Sequence, residues 1–125
     1  MIENELSSIV LDSAIKVHKA LGPGLLESAY QSCLAYELEK RDLTVEVEKG
    51  LPLIYEDVQM DIGYRVDILV NRKIIIEIKA VKELNNVHLA QLLTYLKLSE
   101  TKLGLLINFN TKLLKDGFRR IVNNL

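Results

Sequence analysis

The stretch Tyr64 to Ala80, YRVDILVNRKIIIEIKA, constrains the fold more than any other part of the chain. Ile68, Leu69 and Val70 fit one strand and Ile74 to Ile76 resume another, with the polar triplet Asn71, Arg72, Lys73 as the turn between them. A three-residue connection pairs Val70 with Ile74, and the same register sets Asp67 opposite Glu77, with Lys79 two residues further along Glu77's face. Charged side chains seldom sit in apolar strands unless they are paired or bound to a cation, because each loses its hydration. Two readings are therefore open. Residues 67, 77 and 79 either line a solvated sheet face, where alternation with Ile76 and Ile78 is ordinary, or converge on one site.

The flanking segments supply walls for either arrangement. Residues 5 to 21 carry Leu6, Val10, Ala14, Val17 and Leu21 at helical spacing, with Asn4 as a cap and Gly22-Pro23 as a stop. A second helix is predicted from Gly24 or Leu25 to Arg41, with Leu26, Tyr30, Leu34 and Leu38 on its packing face. Glu27 lies at its start, where a carboxylate benefits from the helix dipole, but also beside the packing face, from which it can point into a cleft. Residues 44–49 and 53–56 read as two strands separated by a bend at Gly50 and Pro52, and a short strand is predicted around Val58 to Ile62. These segments and the hairpin form an antiparallel meander.

After Ala80 the period changes. Asn86 to Leu98 is predicted to be a helix with Leu89, Leu92, Leu93 and Leu96 on its apolar side and His88, Gln91 and Tyr95 on an adjacent one. Gln91 and Tyr95, one turn apart, can hydrogen-bond to a bound group or to the chain itself, and His88 suits an ordinary surface or interface position. Leu103 to Phe109 is nearly all apolar, as an internal strand is, and lying beside residues 74–80 after the helical crossover it is parallel to them. Residues 117–122 make a short edge strand after the polar stretch 110–116. The expected fold is α/β: one domain over residues 1–125 with a mixed sheet flanked by helices.

Charge narrows the functional classes. The net charge of −1 gives no general pull toward nucleic acid, yet residues 1–62 hold 5 Lys and Arg against 12 Asp and Glu, whereas 63–125 hold 11 against 5. That split permits a positive surface beside the hairpin, built from Arg65, Lys79, Lys82, Lys112, Lys115, Arg119 and Arg120. No apolar run has membrane-spanning length and the N-terminus lacks the pattern of a secretory leader, so a cytoplasmic location without membrane association is expected. The single cysteine, Cys33, fits a packing position.

As a site, Asp67 and Glu77 offer the carboxylates that a hard cation such as Mg²⁺ prefers, aided by the backbone carbonyl of Ile78. Lys79 then stands where an ammonium can orient water and stabilise negative charge developing at phosphorus, which suits metal-assisted phosphodiester hydrolysis. His88 and Cys33 have no spacing that pairs them as ligands for a transition metal.

Asp67 followed by Glu77-Ile78-Lys79 resembles the D…ExK core of the PD-(D/E)xK nuclease superfamily. GPGLLESAY at 22–30, with Gly24, Glu27 and Tyr30, looks like the signature of the GxxExxY family, and HLAQLLTYLK and GLLINF match that family's later segments. The resemblance covers nearly the whole chain. It implies a restriction-endonuclease-like αβββαβ core of the RecB-like kind, with Glu27 as the helical acid, Asp67 and Glu77 as principal metal ligands and Lys79 as the catalytic lysine. Gln91 and Tyr95 would be the QxxxY pair that supports the site or holds DNA. Val66 stands where the superfamily's name has proline. The implied protein is an Mg²⁺-dependent nuclease, with Mn²⁺ as a substitute, acting on nucleic acid with DNA favoured, and a homodimer would present two sites to two strands. The alternatives are a non-catalytic nucleic-acid-binding module and a structural or oligomeric protein with no nucleic-acid role.

Overall fold

The structure, a computed structural model, describes residues 1–125. Two helices, α1 (Glu3–Leu21) and α2 (Glu27–Lys40), lead into strands β1 (Val45–Tyr55), β2 (Val58–Val70) and β3 (Ile74–Lys79). Helix α3 (Asn86–Ser99) then crosses to β4 (Leu103–Asn108), and a 3₁₀ turn at Leu114–Gly117 precedes β5 (Phe118–Val122). The five strands lie in chain order, antiparallel except for β3 and β4, which run parallel as a helical crossover requires. The result is the expected mixed sheet flanked by helices, consistent with a restriction-endonuclease-like core.

Alternation along the strands divides the core into two layers. Ile74, Ile76 and Ile78 of β3 and Leu103, Leu105 and Ile107 of β4 face α1 and α2. Ile75 and Leu106 face Leu92 and Leu96 of α3 on the other side. Glu77 and Lys79 share the parity of Ile75 and so project toward α3. Both sheet faces are covered, and Glu77 is only 5% exposed, so the reading of a solvated sheet face is overturned there.

Several boundaries differ from the sequence reading. The two short strands predicted at 44–49 and 53–56 are one strand, β1, and the strand near Val58 continues unbroken to Val70. Pro52 is tolerated because β1 is at the sheet edge, and the register slips between Pro52 and Ile54. Gly63 belongs within β2 because a side chain there would collide with the Leu51 carbonyl. Helix α1 starts earlier than expected, at Glu3, and is capped from Ile2 without a side-chain bond; Asn4 instead accepts a hydrogen bond from Arg120. Helix α2 starts later, at Glu27, because Gly22 and Gly24 both adopt positive φ, 70° and 104°, in the preceding loop. Part of the polar stretch before the last strand folds as the 3₁₀ turn.

Candidate active site

The β2–β3 ladder pairs Val70 with Ile74, Leu69 with Ile75 and Ile68 with Ile76, and stops there. The next step brings Asp67 and Glu77 together, as the register argument expected, but side chains replace the ladder bonds. The Asp67 N–H donates to Oε2 of Glu77 at 2.8 Å, and the Ile78 N–H donates to Oδ2 of Asp67 at 2.8 Å. Each carboxylate thus closes on the opposite strand's backbone. Burial of an anion is offset in this way by charge-assisted donors.

The same point is a fault in the pleat. Val66 and Tyr64 belong to the α3 side of the core, whereas Ile68 and Val70 belong to the α1/α2 side, although all four have the same parity. On β1 the switch is mirrored, since Val45 packs with the first layer and Leu51 with the second. Val47 pairs with Ile68 and Lys49 with Val66, so the residue between them, Glu48, faces Asp67. Glu48 has φ +48°, in the left-handed region that non-glycine residues rarely occupy within strands. The fault lets Asp67 leave the regular alternation and reach Ile78.

Glu27 arrives from the other side. Its Oε2 accepts from the Ala80 N–H at 3.0 Å, which ties the start of α2 to the residue after Lys79. Tyr30 makes this possible: its hydroxyl donates to the Gly22 carbonyl at 2.6 Å and accepts from the Leu25 N–H at 3.1 Å, and its buried ring stacks on Phe109 with centroids 4.5 Å apart. Phe109 in turn donates its N–H to the Lys79 carbonyl at 2.9 Å. The glycines, Glu27 and Tyr30 of the 22–30 segment are therefore parts of one clamp on the end of β3.

Electrostatics bear out the crowding of charge. Burial pushes the Glu77 carboxyl up to about 7; the Asp67 charge adds to this, the Asp67 N–H and Lys79 oppose it, and Glu27 contributes a further upward push. Asp67 is also raised, first by burial, against the Ile78 N–H and Lys79, with Glu27 and Glu48 adding their repulsion. The Tyr95 phenol is raised by burial and then by Glu77, Asp67 and Tyr64, which places it in the field of both acids. Its ring stacks on Tyr64 at 4.9 Å. Gln91 is exposed on α3 and its amide makes no hydrogen bond within the protein, so only Tyr95 of that pair is drawn into the local packing. His88 has a helix-capping role: its Nδ1 accepts from the Asn85 N–H, and Asn85 Oδ1 accepts from the His88 N–H.

Three contributors escaped the sequence reading. Glu48 lies within the strand read at 44–49, and nothing in the sequence sets it apart. Tyr64 carried no motif. Asn108 did leave a signal, being a polar residue in the apolar run LGLLINF. It is 2% exposed, opposite Lys79 in the parallel register, and its amide both accepts from the Val81 N–H at 3.1 Å and donates to the Val81 carbonyl at 2.9 Å, fixing the chain as it leaves β3.

The donors suit a hard dication. Asp67, Glu77 and Glu27 each spend one oxygen on a backbone amide, and the other has no protein donor. No buried side-chain oxygen is left unpartnered, so the free oxygens of Asp67 and Glu77 reach solvent. Two adjoining carboxylates that hold protons more tightly than usual are a pair that a divalent cation would relieve. The three acids are nonetheless not drawn into one cluster: no group of three or more His, Cys, Asp or Glu side chains is gathered at metal-binding spacing.

Comparison with known proteins agrees with this architecture. A sequence-family profile described as the PD-(D/E)XK nuclease superfamily matches residues 4–121. The crystal structure of SSO0001 is similar at 26% identity with a TM-score of 0.50, over 80% of this chain; the match spans 54% of that protein, about half its length. No curated protein matches the chain.

Proposed function

The chain belongs to the PD-(D/E)XK nuclease superfamily, and on that premise we propose that it is a divalent-metal-dependent phosphodiesterase acting on nucleic acid, with DNA favoured. The observation that carries this reading is the end of the β2–β3 ladder, where Asp67 and Glu77 each keep a free oxygen beside Lys79. Asp67, Glu77 and the Ile78 carbonyl would hold Mg²⁺ or Mn²⁺, and Glu27, which stands apart from the pair, would complete the site through one of the ion's waters. The cation would supply Lewis acidity at a phosphoryl oxygen and a water of lowered pKa.

The chain's own groups do the rest. Lys79 makes no ion pair in the protein, so its ammonium is available to a phosphoryl oxygen or to the attacking water. Tyr30 and Asn108 are positioning residues that hold Glu27 and the end of β3. Gln91 and Tyr95 would support the site or contact the strand. The 22–30 segment favours the GxxExxY subfamily, and a single cytoplasmic domain that pairs as a homodimer completes the proposal.

Purified protein is incubated with single-stranded DNA, duplex DNA and RNA, with and without Mg²⁺ or Mn²⁺. Metal-dependent cleavage is expected, abolished by Glu77→Ala and by Lys79→Ala; cleavage that survives both substitutions undiminished would sink the assignment. Because the three acids do not converge at metal-binding spacing, a non-catalytic binding module is the second reading. Salt-dependent binding without turnover in any metal would select it.

A further inference from the structure

A cleft of about 390 Å³ opens between the last turns of α1 and the segment following β4. Ile15 and Leu114 contribute to its apolar part, and Lys19, Lys112 and Lys115 stand around it. No carboxylate lines it, and none of the three ammonium groups makes an ion pair or a hydrogen bond within the protein. On the neighbouring face of α1 and α2 a comparable group is neutralised: Lys16, Lys40 and Arg41 all converge on Glu37. Lys19 has a local reason for its place, at the negative end of α1. Lys112 and Lys115 have none.

The cleft adjoins residues that support the candidate active site. Gly22 lines it and also receives the Tyr30 hydroxyl of the clamp that carries Glu27. His18, another lining residue, has its Nε2 2.8 Å from the Thr111 carbonyl. Thr111 follows closely on Phe109, whose N–H reaches the Lys79 carbonyl at 2.9 Å. Only Asn110 and Thr111 separate Phe109 from Lys112, so their Cα atoms are at most about 11 Å apart.

We propose that this cleft is a phosphate-backbone groove that holds the flank of the nucleic-acid strand to be cleaved, with Lys19, Lys112 and Lys115 on its phosphates and the apolar part against the sugars. The inference rests on the nuclease reading and names where its substrate's flank lies. It also gives a chain of net charge −1 a local place to engage a polyanion, since three cations without ion pairs stand together around the cleft and no carboxylate lines it.

The test compares the wild type with a Lys19→Gln, Lys112→Gln, Lys115→Gln variant. Binding of a 20-nucleotide single strand is measured in EDTA across a salt series. Loss of three phosphate contacts is expected to make the slope of log K against log salt shallower by about 2, and Lys112→Gln alone by about 0.7. With Mg²⁺, KM for the oligonucleotide is expected to rise at least tenfold while kcat stays within about twofold. An unchanged slope in a triple variant that melts like wild type overturns the groove. So does competition for the cleft by a nucleoside monophosphate while oligonucleotide binding is untouched, which would make the occupant a small phosphate ligand. A wild type that cuts nothing but shows the slope change defeats the nuclease reading and leaves the groove standing.

Discussion

Glu77→Gln separates the charge of the buried acid from its hydrogen bond. In the wild type the folded state keeps the Glu77 proton up to about 7, whereas the unfolded chain releases it near 4.5. Between those values the native state binds more protons than the unfolded one, so stability falls as pH rises. The loss is complete above 7 and amounts to about 3 kcal/mol, or roughly 10 °C in Tm for a domain of this size. The glutamine oxygen still accepts from the Asp67 N–H, so the variant keeps the cross-strand bond and sheds the penalty. Urea or thermal unfolding in EDTA at pH 5, 6, 7 and 8 should show a steep decline for the wild type and a shallow one for Glu77→Gln, with the variant the more stable protein at pH 8. Adding Mg²⁺ at a hundred times its Kd should return about 2.7 kcal/mol to the wild type at pH 8 and much less to the variant. Equal slopes for the two proteins, or a wild type that gains stability toward pH 8, would refute the buried-pair argument.

Two further perturbations probe the supports. Tyr30→Phe keeps the stack on Phe109 but removes the hydroxyl between the Gly22 carbonyl and the Leu25 N–H; a cost of about 1–3 kcal/mol is expected by urea unfolding, with a further loss of kcat as Glu27 loosens. Glu37 behaves oppositely to Glu77: burial pushes it up, but hydrogen bonds and charges from Lys16, Lys40 and Arg41 together hold it below its ordinary 4.5. Its contribution is present above that value and disappears as pH falls through its lowered pKa, so the stability gap between wild type and Glu37→Gln should close in an acid titration begun at pH 6.

The parts of this fold that were legible in the sequence rest on local periodicity. The leucines of α3 and the isoleucines of β3 announced their elements and faces, and a three-residue turn was enough to bring Asp67 and Glu77 together. What periodicity could not convey is a change of its own phase. TVEVEK alternates on paper, yet the pleat reverses at Glu48 and Asp67, because both strands switch faces there without losing register. Nor does spacing reveal that Glu27 would find the Ala80 amide, which depends on the glycine conformations at 22 and 24 and on a tyrosine hydroxyl fixing the loop. Gln91 shows the converse limit: its helical position was read correctly, but occupying a face does not give a side chain a partner.

The pleat fault and the carboxylates are two sides of one energetic problem. An acid buried in an isoleucine sheet needs donors, and the nearest are the amides that the ladder itself would use. Asp67 and Glu77 take the Ile78 and Asp67 amides, the ladder ends, and the free oxygens stay open to solvent. Replacing both acids by valine returns the amides to the ladder and removes two charges whose burial is unfavourable, so Asp67→Val/Glu77→Val should be more stable than wild type above pH 7 by about 1–4 kcal/mol. Asp67→Ala alone should cost about 1–3 kcal/mol, since it leaves the Ile78 amide without an acceptor while Glu77 keeps its charge. Amide hydrogen exchange reads the same event directly, with protection at residues 67 and 78 rising in the double variant and falling at 78 in the single one. A double variant no more stable than the single one would mean that the fault is imposed by Glu48 and its neighbours, with the acids merely occupying it.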